Sequence, residues 1–99
     1  MKIYVRTLVE RDGERILMLE EIEASPVKDF DGVAIAHNPK HHQKGYCAYD
    51  INTGLYIFWA RTKKDLTELL FNKKLQIEEA RKTQLYQKRL KEFEEMKRL

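Results

Sequence analysis

From Thr62 to Leu99 the chain has neither a proline nor a glycine, and strong helix formers dominate the stretch. As one continuous helix its 38 residues would span ~57 Å, at ~1.5 Å per residue. The strands that precede it read as about six residues each, or ~20 Å. More than half of such a helix finds no sheet to lie on. It must break and fold back, meet another partner, or stand in solvent. Thr62 followed by Asp65 marks its start as a capping box with the shorter acid, and the Asp65 carboxylate suits the positive end of the helix dipole.

The apolar positions sharpen the problem. Leu66, Leu69, Leu70, Ile77 and Ala80 follow a 3.6-residue period and should face the sheet. Tyr86, Leu90 and Phe93 form a second stripe at i, i+4 and i+7, widened by Leu85, Met96 and Leu99. Ile77 and Tyr86 are nine residues apart, so the stripes lie ~180° apart on a straight helix. Two opposed faces cannot both cover one sheet. Either the helix breaks, near Asn72-Lys73-Lys74 or Lys82-Thr83-Gln84, or the second stripe meets another chain. Helix formers run through both candidate breaks, which favours the second chain and a homodimer through helix 62–99.

The first 61 residues read as strands. Ile3, Val5, Thr7 and Val9 alternate with Tyr4, Arg6, Leu8 and Glu10, and Asp12-Gly13 supplies the two positive-φ positions of a tight hairpin turn. The return strand covers residues 15–24 and is apolar on both faces before turning acidic at Glu20, Glu21 and Glu23. A third strand runs from Gly32 to His37 and ends at Asn38-Pro39. A second hairpin pairs 46–51 with 55–60 around Asn52-Thr53-Gly54. Residues 55–60 carry no charge and are apolar on both faces, as for a strand central in its sheet. The expected class is α+β: one domain with an antiparallel sheet of about five strands, two hairpins among them, and then the long C-terminal helix.

Several functional classes fall away. One cysteine, Cys47, excludes an intrachain disulfide. No apolar run approaches the ~20 residues of a membrane span, and charges from Lys2 to Asp12 interrupt any signal-peptide core, so the expected location is cytoplasmic with no membrane contact. Ser25, the only serine, has no nucleophile-elbow context, and there is no glycine-rich phosphate loop. Cys47 with His41 or His42 as base could form a nucleophilic pair, but its place in an apolar strand reads as small core. His37, His41, His42 and Cys47 could ligate zinc; Pro39 and the lack of a recognised ligand spacing argue against it. The expectation is a protein that is not an enzyme and holds no cofactor and no metal.

What remains is binding. His37, Lys40, His41, His42 and Lys44 make a basic loop suited to an acidic partner, and Tyr86, Leu90 and Phe93 supply an apolar stripe for a protein partner. Residues 62–99 carry 11 Lys and Arg against 7 Asp and Glu. The alternative is therefore nucleic-acid binding by the basic C-terminal helix through Lys73, Lys74, Arg81, Lys82, Lys88 and Arg89. Tyr46 to Leu70, a strand, an Asn-Thr-Gly turn, a strand and Thr-Lys-Lys-Asp opening a helix, resembles small uncharacterised proteins of phages and mobile elements. The resemblance covers about a quarter of the chain. It implies an accessory role through a macromolecular partner, such as inhibition of a host defence nuclease in the manner of an anti-CRISPR, and implies no site residues.

Overall fold

The computed structural model describes residues 1–37 and 44–98. Two long strands open the fold, β1 (Lys2–Arg11) and β2 (Glu14–Glu23), antiparallel with Lys2 opposite Glu23 and Arg11 opposite Glu14. Asp12 and Gly13 turn the chain at φ 51° and 81°, the positive pair that a two-residue hairpin turn demands. Four short strands follow, β3 (Ser25–Pro26), β4 (Val33–His37), β5 (Tyr46–Asp50) and β6 (Tyr56–Ala60), forming a second antiparallel sheet in that order. Three helices complete the chain: α1 (Lys63–Asn72), α2 (Lys74–Ala80) and α3 (Gln84–Lys97). The class is α+β with antiparallel sheets. The strands divide into sheets of two and four rather than forming one sheet of about five.

Side-chain size explains the division. Along β4 and β5, Ala34, Ala36 and Cys47 present small groups to one face, and the β1–β2 hairpin settles there through Ile3 and Val5. Val33, Ile35 and Ala48 meet Phe30, Leu66 and Leu70 on the other face, where α1 lies. Thus β4 and β5 are the strands covered on both sides. Residues 55–60 correct the expectation of a central strand, because β6 is an edge. Its register slips opposite Ala48 and Tyr49, which leaves Ile57 as an extra residue; Tyr56 and Trp59 are 50% and 41% exposed.

The long helix is broken at both candidate sites, and here the continuous-helix expectation gives way. Lys73 leaves helical geometry at φ −103°, ψ 8° and separates α1 from α2. Residues 81–83 separate α2 from α3, where Thr83 is extended and its Oγ accepts the Tyr86 N–H at 3.1 Å. Thr62 caps α1 in the same way, accepting from the Asp65 N–H at 3.1 Å. Length is the physical reason for the breaks: ten residues of α1 span ~15 Å, close to the ~17 Å of a five-residue strand. The second stripe then turns onto its own chain. Phe93 is only 3% exposed, while Tyr86 and Leu90 are half-buried against their own chain. Among the described residues no helix is long and apolar enough to cross a membrane.

Candidate binding surface

Arg6 organises the region where α3 returns. Its guanidinium, 5% exposed, donates to Thr53 O at 2.7 Å, to Arg89 O at 2.6 Å and to Glu92 Oε2 at 3.2 Å. It also sits 5.8 Å from the centre of the Phe93 ring. Arg89 Nη1 holds both Glu92 oxygens at 2.9 Å, and this bond, followed by the Arg6 bond, lowers the Glu92 carboxyl below its ordinary value. The turn between β5 and β6 is shaped for this contact. At Gly54, φ 71°, an added Cβ would lie 2.7 Å from Phe93 Cε1 and 3.0 Å from Tyr4 O. One side chain of β1 thereby ties together the first strand, the β5–β6 turn and the last helix.

Beside this clasp lies a cleft of about 690 Å³. Leu8 and Leu17, directly opposite each other on the outer face of the hairpin, form one wall and are 61% and 46% exposed. Tyr49, Leu55 and Tyr56 line the other side, with Arg89 and Glu92 at one end. The cleft also borders an open strand edge. The Arg6 N–H points away from β2 to Gly54 O at 2.9 Å, so the backbone groups of Leu8, two residues on, point the same way. They meet no backbone partner among the described residues. An apolar trough beside unpaired strand N–H and C=O groups can accept an extended segment of another chain.

The described residues of the sequence-predicted partner surface fall into two separate groups. His37 stacks on Tyr46 at 4.4 Å, and Lys44 O accepts the Trp59 indole N–H at 2.9 Å, both where β5 begins. Tyr86 and Phe93 lie where β5 ends, beside Asp50 and Gly54. The two groups sit at opposite ends of β5, ~14 Å apart by strand rise. Lys40, His41 and His42 lie outside the described residues. The basic set on the C-terminal helices is dispersed by the helix breaks and partly consumed. Lys74 donates to Asp29 O and sits over Phe30 and Phe71; Arg81 donates to Asp31 O and lies 3.9 Å from Asp50. Lys82 pairs with Glu79 and Arg89 with Glu92, which leaves Lys73 half-exposed and Lys88 exposed, neither with an ion pair among the described residues.

Cys47 is fully buried, and burial pushes its thiol up, away from the thiolate that a nucleophile or ligand needs. Burial and, next, the Cys47 sulfur push the Tyr49 hydroxyl up to about 12. Burial and the neighbouring Asp50 carboxylate push Tyr86 up to about 12 as well. Among the described residues no three His, Cys, Asp or Glu side chains gather as a metal site.

Sequence reasoning missed the cleft. Its one signal was the excess of apolar residues on β2, apolar on both faces where one face suffices for a core. Comparison with known proteins adds nothing to this picture: no family model, no curated protein and no solved structure matches the chain.

Proposed function

We propose that this chain is a non-catalytic protein-binding module that takes an extended segment of a partner into the cleft between the hairpin and β6. The observation that carries the reading is the combination of exposed Leu8 and Leu17 with a backbone edge of β1 at Leu8 that meets no partner among the described residues. Backbone bonds to that edge would supply affinity, and the leucine and tyrosine walls would select apolar side chains at alternate positions. Clustered apolar exposure of this kind is retained on a small protein when it is used.

A photo-crosslinking residue in place of Leu17 tests this in the source cell. The expected result is one or a few discrete protein adducts, lost when Leu8→Asp is added, and absent when the same residue replaces Gln76. Equal adducts from both positions, or adducts to nucleic acid alone, would overturn the reading. The second outcome would favour the nucleic-acid alternative.

A further inference from the structure

We propose that the end of the four-stranded sheet where β6 runs into α1 binds single-stranded nucleic acid. Four cations gather there. Lys44 precedes β5 and touches Trp59 through its carbonyl; Arg61 follows β6 directly; Lys63 and Lys64 open α1. None of the four makes an ion pair among the described residues, unlike Arg81, Lys82, Arg89 and Lys97 on the later helices. The N-terminus of α1 adds its own positive pole, with the Lys63 and Lys64 amides unspent because Thr62 Oγ takes only that of Asp65.

Aromatic faces accompany the charge. Trp59, partly exposed, is fixed in orientation by its indole bond to Lys44 O, and Gly45 leaves it room: a Cβ there would fall 2.8 Å from its Nε1. On the opposite, α1-covered face of the sheet, Tyr46 and His37 stand stacked, interplanar angle 16°, and share a small hollow with Lys63 and Glu23. Fixed aromatic rings on both faces of this sheet end, with the cations of the same end beside them, suit a strand that crosses the end with its bases unstacked and its phosphates repeating. An acidic peptide would use the cations and leave the rings idle. Duplex would offer phosphates and hide its bases. The strand from Leu55 to Ala60 itself carries no charge, so this juxtaposition exists only in the fold.

Trp59 is the only tryptophan, so its fluorescence reports on this place alone. Titration with oligothymidylate of ~12 nucleotides at low salt should quench it, with three or four phosphate contacts giving a log–log salt slope of about −2 to −3. Replacing Lys44, Arg61 and Lys63 together by alanine should weaken binding by on the order of tenfold or more, while Lys88→Ala with Lys91→Ala should leave it unchanged. Circular dichroism of each variant confirms the fold. No quenching at ~100 µM oligonucleotide overturns the proposal. So does equal binding of polyglutamate, which assigns the patch to acidic protein, or binding insensitive to the triple change. The crosslinks at Leu17 concern a different surface and are unaffected by any of these results.

Discussion

Arg6→Ala is the sharpest test of how this fold is closed. The guanidinium is almost wholly buried and donates to two backbone carbonyls, Thr53 O and Arg89 O, as well as to Glu92. Hydrogen bonds from a charged donor contribute roughly 1.5–3 kcal/mol each, so the two carbonyl bonds together are worth about 3–6 kcal/mol. Thr53 is fully buried, and its carbonyl would be left without this donor. For a chain of this length each kcal/mol moves the melting temperature by ~4–8 °C, so the variant should melt at least ~12 °C lower. Thermal unfolding followed by circular dichroism at 222 nm reads this directly. Arg6→Lys should fall between, since an ammonium cannot reach three acceptors with a fixed fork. If Arg6→Ala lies within about 1 kcal/mol of wild type, α3 does not hold its place through this side chain and the clasp is not structural.

Four further outcomes follow from the same geometry. Gly54→Ala should destabilise by more than the ~1 kcal/mol of an ordinary backbone change, because φ is 71° and the new Cβ meets Tyr4 O; denaturant midpoints will show it. Thr83→Ala should cost about 1 kcal/mol by removing the cap of α3, readable as a lower melting temperature. Cys47 should resist a thiol reagent in the native protein and react fully in denaturant; rapid native labelling would contradict its burial. Glu92 has a lowered carboxyl value in the fold, so its contribution is complete above the ordinary carboxylate range and is lost as pH falls through the lowered value. A pH series of melting curves should show wild type losing more stability below about pH 4.5 than Glu92→Gln.

Local chemistry was readable in the sequence, and contacts between distant residues were not. Asp12-Gly13 announced its turn because only such residues tolerate two positive φ values in succession. Thr62 announced α1 through its hydroxyl. Thr83 carries the same hydroxyl and caps α3, but no acid stands three positions later, so its signal was half as strong, and Lys73 breaks the helix with no side-chain cap at all. The periodicity of 55–60 misled because the extra residue at Ile57 mixes the two faces of β6. On the surface, Leu8 and Leu17 looked like ordinary strand residues, since nothing local reveals that no layer covers them. Arg6 is the hardest case: the Glu92 and Arg89 groups it binds lie 86 and 83 residues away.

That separation bears on how the chain can be made. Synthesis delivers β1 before α3, so the nascent hairpin must wait for more than 80 further residues before Arg6 finds its acceptors on that helix. Until then Arg6 stays hydrated and Phe93 has no seat, while Leu8, Leu17 and the β1 edge are more exposed than in the finished protein. The interval is one in which strand pairing between neighbouring nascent chains competes with folding. Slowing translation over the codons of α3 should lengthen it and raise the aggregated fraction, whereas the same pause placed before those of β5 should change little.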